Sequence, residues 1–271
     1  MKRENDNMNA VPSPRVSETP VRRTTLALVS ASDPRRRAGN VSAQPANCGA
    51  CNLRELCLPC GLSGSAPEVL AELVYTRRRI KRGETLYRAG AAFESLYAVR
   101  SGFLKSRVLL EDGRDQVTGF HMAGEVVGMD GIGTDTHSAD VIALEDSEVC
   151  VIPYALLEEP HLRRQLQKMM SREMVREQGV MMLLGSMRAE ERLATFLLNL
   201  SQRFVARGYA RDDFHLRMTR EEIGSYLGLS LETVSRLFSR FQDDGLMTVQ
   251  QKHIHILDIP GLKAMMSRDA A

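Results

Sequence analysis

The spacing of apolar residues along the chain changes twice, and each change predicts a different kind of structure. From about Arg77 to Pro153, short apolar segments alternate with glycines, which is typical of consecutive antiparallel strands. The predicted strands are residues 84–87, 95–100, 104–110, 116–120, 125–128, 140–143 and 148–152. Short, evenly spaced strands of this kind indicate a β-barrel or β-roll. The clearest hairpin turns at residues 111–114, and a short helix is predicted at residues 67–75.

From about residue 162 to residue 187 the apolar residues recur with a helical period. Alternating steps of four and three, the spacing of a coiled-coil seam, connect Met170, Met174, Glu177, Met181 and Leu184. Neighbouring apolar residues add a second face to this helix. We therefore expect one face to pack on the roll and the other on a partner helix, with a core helix inside one subunit as the alternative.

Glu177 is the only carboxylate on this predicted seam. In a parallel dimer it would face its own copy, and two like charges in close contact repel each other or force one to bind a proton. We therefore expect Glu177 to keep the dimer weak unless another contribution favours association. The alternative is that this side chain faces solvent.

The C-terminal part begins with an amphipathic helix predicted at residues 189–207, which Gly208 follows as a C-cap. Thr219 and Glu222 then form a capping box, residues 227–229 supply a tight turn, and Ser230 caps the next helix. The buried face of that helix consists of Val234, Leu237, Phe238 and Phe241. Two short helices about a glycine turn predict a helix-turn-helix, and a hairpin predicted at residues 245–256 adds a wing.

Exposed side chains near the start of the second helix suit the edges of base pairs in the major groove. Arg236 can donate two hydrogen bonds to guanine, Glu232 can accept one from cytosine, and Ser235 suits several bases. The residues better placed for phosphates are Thr219, Arg220 and Arg240. An ordinary helical hairpin with Arg236 on a solvated face is the alternative, but the caps, the turn and the apolar spacing all favour DNA binding.

Composition changes this picture mainly at the N-terminus. Residues 1–46 are poor in large apolar side chains and rich in Pro, Ser, Thr, Asn and Arg, so we expect a disordered tail. A length of 271 residues allows two further domains with their own cores, and a formal net charge of +2 does not decide whether the chain binds nucleic acid. The chain has no apolar run long enough for a membrane span or a secretory signal, so we expect a cytoplasmic protein with no membrane partner.

Four of the 5 cysteines lie in one short stretch, and Cys150 is far downstream. The clustered cysteines are Cys48, Cys51, Cys57 and Cys60. Structural cysteines are usually found singly among core residues, whereas polar and charged residues separate these. Clustered soft thiolates indicate zinc or an iron–sulfur cluster. A disulfide pair is the alternative, but thiols in the cytoplasm normally stay reduced.

The order of these features resembles the Crp/Fnr regulators, and in particular the FNR subgroup of oxygen-sensing fumarate and nitrate reduction regulators. The resemblance covers about residues 47–262 and includes residues 95–102 (SLYAVRSG), 116–121 (QVTGFH), 189–193 (AEERL), 218–220 (MTR) and 232–236 (ETVSR). It implies a DNA-binding regulator, not an enzyme. The implied fold is α+β, with a cysteine-rich segment, an antiparallel β-roll of the cyclic-nucleotide-binding kind, a long dimerisation helix and a C-terminal winged helix-turn-helix.

The resulting domain organisation follows the motifs. We expect a tail at residues 1–46, a cluster-binding segment at 47–64, a sensor roll at 65–158, the dimerisation helix at 159–188 and the winged helix-turn-helix at 189–265.

The resemblance also implies a cofactor, partners and roles for particular residues. In the family, three N-terminal cysteines and one distant cysteine from the roll hold a [4Fe–4S] cluster; the matching residues here are Cys48, Cys51, Cys57 and Cys150. A cluster-loaded homodimer would read a TTGAT-like palindrome in double-stranded DNA through Glu232, Ser235 and Arg236. Glu177 matches an acidic position of the family's dimerisation helix, and the hairpin around Gly113 is an implied contact for RNA polymerase.

Cys60 departs from the family pattern, which does not require a cysteine there. We expect Cys60 to be a spectator, although it could replace Cys150 or complete a zinc site with its three neighbours. A regulator with structural zinc is therefore one alternative. An iron–sulfur electron carrier is a more distant one, because it would leave the helix-turn-helix without a role.

A second departure concerns cyclic nucleotides. Family members that bind them hold the phosphate with a roll arginine beside a Gly-Glu pair. Gly124 and Glu125 are present here, but His137 stands where that arginine is expected. A neutral histidine is a poor substitute for a guanidinium group, so we expect no cyclic nucleotide.

Overall fold

The computed structural model describes residues 45–48, 51–53, 56–58, 74–110, 112–158 and 160–266. The strands are β1 Pro45–Asn47, β2 Val74–Ile80, β3 Thr85–Tyr87, β4 Ser95–Ser101, β5 Phe103–Leu109, β6 Asp115–Met122, β7 Val126–Val127, β8 Asp140–Ala143, β9 Ser147–Pro153, β10 Asp213–His215, β11 Met247–Gln250 and β12 His253–Ile256. The α-helices are α1 Pro160–Ser186, α2 Ala189–Val205, α3 Arg220–Leu227, α4 Leu231–Asp243 and α5 Ile259–Ala264. The fold is α+β, as predicted.

Strands β1 to β9 form the predicted roll from two antiparallel sheets. One sheet has the order β1-β2-β9-β4-β7 and the other has the order β3-β8-β5-β6. Because side chains alternate between the two faces of a strand, both sheets direct apolar residues into a shared core. That core includes Ile80, Val99, Leu104, Val141 and Val149. The predicted strands correspond to β3 to β9 and are confirmed close to their predicted bounds.

Two strands at the start of the roll correct the sequence predictions. Pro45 and Ala46 lie in β1, so the prediction of a disordered tail is wrong for them; residues 1–44 lie outside the described part of the chain. Val74 and Tyr75 lie in β2, so the helix predicted at 67–75 is wrong at its end, and its earlier residues are likewise outside. Ala46 pairs with Tyr75, and the backbone hydrogen bonds of this pairing order a segment whose composition is unfavourable for a core.

Gly102 joins β4 to β5 where only glycine fits. Its φ is +91°, and a Cβ added there would lie 2.7 Å from the Cα of Ser147. We expect Gly102→Ala to lower the free energy of unfolding by about 3 kcal/mol, because it adds overpacking to left-handed strain. Gly83→Ala is the matched control: φ is +79° but the surrounding space is open, so a loss of about 1 kcal/mol is expected. Urea denaturation measures both, and equal losses would contradict the role of Ser147.

Helix α1 is 27 residues long and connects two apolar cores. Leu162 and Leu166, near its start, pack in a cluster with roll residues such as Leu96 and Ile152. Leu183, near its end, packs in the core of the C-terminal domain. The predicted long helix is therefore confirmed, and one of its faces packs on the roll as expected.

The C-terminal domain combines helices α2 to α5 with a three-stranded sheet of order β10-β12-β11. Its core includes Leu193, Leu197, Phe238 and Phe241, and the roll contributes Phe120 to the same cluster. The helix predicted at 189–207 ends slightly earlier, at Val205. No helix in the described ranges is long and apolar enough to cross a membrane.

Helix α3 is docked directly on strand β6 of the roll. The hydroxyl of Ser225 accepts a hydrogen bond from the Val117 N–H at 2.8 Å and donates one to the Asp115 carbonyl at 3.1 Å. Lys105 on β5 forms an ion pair of 2.8 Å with Glu222 at the start of α3. These contacts fix the beginning of the helix-turn-helix relative to the roll.

Candidate functional site

Four cysteines from two distant parts of the chain come together beside the five-stranded sheet. Cys150 lies on β9, a strand between β2 and β4, where it pairs with Arg77 on one side and Ala98 on the other. Cys48 follows β1 directly, and β1 reaches this sheet by pairing with β2. Local turns then position the next thiols: the Cys51 N–H donates to the Cys48 carbonyl, and the Cys57 N–H donates to that of Leu53. We call Cys48, Cys51, Cys57 and Cys150 the cysteine cluster.

Burial, and to a smaller extent the nearness of the other thiols, raises the pKa of three of these cysteines. Burial raises the pKa of Cys48 to about 12, and the neighbouring Cys150 and Cys51 add to the increase. Burial likewise raises the pKa of Cys57 to about 12, with further contributions from the other three thiols. Burial is also the main cause that raises the pKa of Cys150, although Arg100 opposes it. A cationic metal centre reverses such shifts, because it stabilises the thiolate.

The donor set fits a soft metal centre. Cys48, Cys51, Cys57 and Cys150 are all free thiols, without a disulfide among them. Within the described residues, no three Cys, His, Asp or Glu side chains are gathered tightly enough to hold a single metal ion. By chemical type, sulfur donors suit both iron–sulfur clusters and zinc, so the residue types do not separate the two interpretations of the sequence. Cys60 lies outside the described residues.

Arg100 lies beside the cysteine cluster, and the motif reading of the sequence did not identify it. Its Nη1 atom is 3.9 Å from the sulfur of Cys51, and its Nε atom is 3.2 Å from Glu148. Burial raises the pKa of Cys48 and Cys150, and the guanidinium group of Arg100 opposes part of that increase. Hydrogen bonds and charges around ligating sulfurs tune a metal centre, so Arg100 is well placed to stabilise thiolates. No local sequence signal marks it, because β4 and the cysteine stretch are distant along the chain.

The cysteine cluster shares an apolar core with the start of helix α1. Cys48 and Leu58 are buried in this core, and Cys57 and Cys150 pack against it. Leu162 and Leu166 of α1 belong to the same group of contacting side chains. The cysteine segment and the beginning of the long helix therefore belong to one packed core.

Four of the five predicted seam residues of α1 are exposed in the single chain, whereas Leu184 is half-buried and packs against the core of the C-terminal domain. Met174 and Met181 expose 64% and 66% of their surface, and Met170 is also exposed. The alternative of a core helix within one subunit is therefore wrong for Met174 and Met181, since most of their surface is exposed. Glu177 is exposed too, and its carboxylate lies 3.9 Å from Arg176, which also pairs with Glu173 at 2.5 Å.

The helix-turn-helix is built from the predicted caps. The Thr219 hydroxyl accepts from the Glu222 N–H, while the Glu222 carboxylate accepts from the Thr219 N–H, and the Ser230 hydroxyl accepts from the Thr233 N–H. Both capping predictions are confirmed. Gly224 was not singled out in the sequence, yet a Cβ there would lie 2.5 Å from the Leu229 carbonyl oxygen. The close approach of the turn at Leu229 to α3 therefore requires a glycine at this position.

The predicted base-reading side chains lie together on the outer face of α4. Arg236 and Glu232 are largely exposed and approach each other to 3.7 Å, while Ser235 is half-buried. The buried face opposite consists of Val234, Leu237, Phe238 and Phe241, as predicted. Helix α4 can thus enter a groove without disturbing its own core.

The residues predicted to contact phosphates are already engaged within the protein. The guanidinium of Arg220 lies over the Phe238 ring at 4.3 Å, and the Thr219 hydroxyl serves as the helix cap. Arg240 lies 2.5 Å from Glu190 and 3.7 Å from Asp244. These contacts hold Arg220 and Arg240 in defined positions beside the two helices.

A cleft between the roll and the wing adds positive charge that the motifs did not reveal. It encloses about 210 Å³, and the cations that line it are Arg82, Lys105, Arg217 and Lys252. Thr219 and Glu222 at the start of α3 line the same cleft. Lys105 is paired with Glu222 at 2.8 Å and Arg217 with Glu145 at 3.1 Å, so Arg82 and Lys252 are the other two cations of the cleft.

At the roll position where binding of a cyclic nucleotide phosphate would require an arginine, the chain has His137. His137 is buried and stacked on Tyr87, with ring centroids 3.7 Å apart. Its Nδ1 atom lies 3.3 Å from the Asp130 carboxylate, which also accepts the Ser138 N–H at 2.8 Å. Glu125 is bound by Arg203 and Arg207 from the C-terminal domain. The chain's own charged groups therefore satisfy one another here.

Comparisons with known proteins agree with this architecture. The sequence pattern of the Crp-like helix-turn-helix domain matches residues 191–265, and that of the cyclic nucleotide-binding domain matches residues 77–160. The chain is 49% identical over 218 residues to the transcriptional activator protein Anr of Pseudomonas protegens, covering 79% of this chain and 89% of that protein. It is 43% identical over 224 residues to the fumarate and nitrate reduction regulatory protein of Salmonella typhimurium, covering 81% and 90%. The solved structure of FixK2 from Bradyrhizobium japonicum superimposes with a TM-score of 0.67 at 31% identity, covering 73% of this chain and 100% of that one.

Proposed function

Because the chain belongs to the Crp/Fnr family, as a DNA-binding transcriptional regulator of the Fnr and Anr type, we propose that it responds to oxygen through a [4Fe–4S] cluster. In this proposal Cys48, Cys51, Cys57 and Cys150 ligate the cluster. The loaded protein forms a cytoplasmic homodimer that binds a TTGAT-like palindrome when oxygen is low. The observation that carries the proposal is the convergence of these four thiols beside the start of helix α1.

When bound, the cluster would supply four thiolate-ligated irons and a centre that oxygen degrades. The protein couples ligation of the cluster to the packing of helix α1. The cysteine segment is attached to the roll by the short strand β1, by apolar contacts of residues such as Leu58, and by the approach of Arg100 to Cys51. Ligation by Cys150 on β9 adds a tie to the centre of the sheet, and that tie stabilises the core that Leu162 and Leu166 share. A differential stability of about 5 kcal/mol is enough to shift a two-state equilibrium almost completely.

Dimerisation uses the exposed seam of α1, where Glu177 opposes association. We expect Glu177→Ala to raise the dimerisation constant in air at least about fivefold, because two carboxylates about 4 Å apart repel by about 1 kcal/mol even in water. Sedimentation in air measures the dimer fraction, and promoter binding in air should rise with it. Gln178→Ala is the control, because it is exposed on the same helix but off the seam. An unchanged dimer fraction in Glu177→Ala would remove Glu177 from the switch.

The dimer presents two α4 helices to half-sites one helical turn apart, which is the spacing of helix-turn-helix dimers. Glu232, Ser235 and Arg236 read base edges, while Thr219, Arg220 and Arg240 face phosphates. The cationic cleft of Arg217 and Lys252 extends the phosphate contacts. RNA polymerase is the further partner, and the hairpin between β5 and β6 around Gly113 is the proposed contact surface.

The proposed signal is not a cyclic nucleotide. Asp130 occupies the hydrogen-bond donors of Ser138, and a carboxylate at this position repels an anionic phosphate. His137 is buried against Tyr87 and offers no guanidinium group. The roll therefore has the fold of a nucleotide-binding domain, but its side chains favour regulation by a signal other than a cyclic nucleotide.

Metal analysis of protein purified without oxygen tests the proposal. We expect iron together with acid-labile sulfide, visible absorbance, and binding to the palindrome that weakens after exposure to air. Zinc without iron would favour the structural-zinc alternative. Iron-free protein that binds the palindrome equally well before and after aeration would overturn the proposal.

A further inference from the structure

Glu125 connects three parts of the molecule that the proposed function requires to act together. It lies between β6 and β7 on a loop of the roll. Its carboxylate accepts hydrogen bonds from Arg203 on α2 at 3.1 and 2.7 Å, and from Arg207 just after α2 at 2.6 Å. Arg176 on α1 approaches the same carboxylate to 3.8 Å. One acidic side chain thus contacts both the dimerisation helix and the DNA-binding domain.

The two arginines of the C-terminal domain are fixed by further contacts to strand β6 and to the loop that follows it. Arg203 donates to the Phe120 carbonyl at 2.6 Å, and Arg207 donates to the Ala123 carbonyl at 2.5 Å. Side-chain exposure is only 17% for Arg203 and 6% for Arg207, so solvent screens these charges weakly. The Glu125 carboxylate also accepts the Met122 N–H at 3.3 Å. Bidentate, charge-assisted bonds of this kind define an orientation as well as an attraction.

The residue before Glu125 touches the cysteine segment. Gly124 has a φ of +89°, and a Cβ added there would lie 2.8 Å from the Cβ of Leu56. Leu56 is the neighbour of Cys57 in sequence, so the loop carrying Glu125 packs against the segment that carries three of the four thiols. Helix α2, which Arg203 and Arg207 terminate, packs in the same core as the reading helix α4.

We propose that Glu125 is a positioning residue: with Arg203 and Arg207 it transmits the packing of the cysteine segment, sensed at Gly124, to the orientation of the DNA-binding helices. This inference rests on the proposed function. Glu125 acts through an intramolecular ion pair between the roll and the DNA-binding domain, and this ion pair has a regulatory role. When Leu56 moves away, the loop at Gly124 becomes free to move. The Glu125 carboxylate then no longer lies within hydrogen-bond distance of Arg203 and Arg207. Helix α2 shifts as a result, and α4, which packs in the same core, leaves the orientation that binds DNA.

The test compares DNA affinity before and after aeration in the full-length wild type and in Glu125→Gln. For the wild type, the ratio of the two dissociation constants measures the coupling between the cysteine segment and DNA binding. We expect Glu125→Gln to keep its visible absorbance, because it leaves every cysteine in place. Both proteins are compared at a concentration where sedimentation shows equal dimer fractions, because Arg176 of α1 also approaches this carboxylate. The affinity ratio of the variant should nevertheless fall at least about fivefold, since the coupling no longer reaches α2.

Glu145→Gln is the matched control. Glu145 also links the roll to the C-terminal domain, through an ion pair of 3.1 Å with Arg217, but it does not contact the Gly124 loop. We expect this variant to keep the wild-type ratio. An unchanged ratio in Glu125→Gln, or equal weakening of its loaded and aerated forms, would show a merely structural role and overturn the inference. A wild-type ratio of one would instead overturn the proposed function itself, and the inference with it.

Hydrogen exchange gives a second measurement that does not depend on DNA. In the wild type, aeration should reduce the protection of residues 120–126 and 200–207 together, because the ion pairs join these segments. In Glu125→Gln the protection of residues 200–207 should already be low in the loaded protein and should not fall further. Wild-type protection that stays constant on loss of visible absorbance would overturn the inference, even if the Gln variant folds poorly.

Discussion

Replacing Cys150 by Ala should abolish the visible absorbance of protein purified without oxygen and reduce its affinity for the palindrome to that of aerated wild type. Cys150 is the one thiol of the cysteine cluster that lies on a roll strand, between β2 and β4. Without it, the remaining ligands all belong to the N-terminal segment, and ligation no longer ties that segment to the sheet. The smaller alanine fits the half-buried site, so the roll should remain folded.

Cys60→Ala is the comparison that identifies the fourth ligand. We expect it to keep the absorbance, because the proposed ligand set is complete without Cys60. Far-ultraviolet circular dichroism of both variants checks that the fold is intact. If only Cys60→Ala removes the absorbance, the assignment of Cys150 is wrong and four neighbouring cysteines hold the metal.

Arg236→Ala should weaken binding to the palindrome by about 1–3 kcal/mol, or roughly five- to 150-fold, by removing a bidentate contact to guanine. The side chain is 71% exposed and lies outside the buried face of α4, so the stability of the free protein should not change. The loss should disappear on duplexes in which the contacted guanine is replaced. Arg236→Lys should recover only part of the affinity, because an ammonium group lacks the planar fork.

Arg217→Ala provides the contrasting case. Arg217 lines the cationic cleft, where phosphates but no base edges are expected. Its loss should weaken binding to all duplexes similarly and lower the salt dependence by about one unit. Electrophoretic mobility shifts at several salt concentrations measure both variants. If Arg236→Ala weakened all duplexes equally, Arg236 would be a phosphate contact and not a reader of sequence.

The coupling residues show why some of the site escaped sequence reasoning. Glu125 stood in a recognisable Gly-Glu pair, but that pair suggested a nucleotide contact, not an ion pair with Arg203 and Arg207. The sequence predicts Glu177 as an isolated charge on an apolar seam. It does not predict that the neighbouring Arg176 approaches both Glu177 and Glu125. Within its own segment, each of these charged residues has the spacing of a common surface residue, so the sequence does not mark it as part of an ion pair.

The sequence by itself determined the features that depend on neighbours within one or two turns of chain. The roll strands followed from apolar alternation and glycine turns, and the helix-turn-helix followed from the caps at Thr219 and Ser230. These signals are local because strand alternation, helix periodicity and capping involve residues only a few positions apart.

Only the tertiary structure decided which distant side chains meet. It placed Arg100 beside Cys51 and set Leu56 against Gly124, and it supplied the pairing of β1, β2 and β9 behind the meeting of Cys150 with the N-terminal thiols, which the sequence indicated only through the family resemblance. Spacing along the chain cannot specify such contacts, because each depends on how separate sheets and helices pack. The physical reason is that burial of apolar surface orients whole elements, and the charged and sulfur groups they carry are brought together as a consequence.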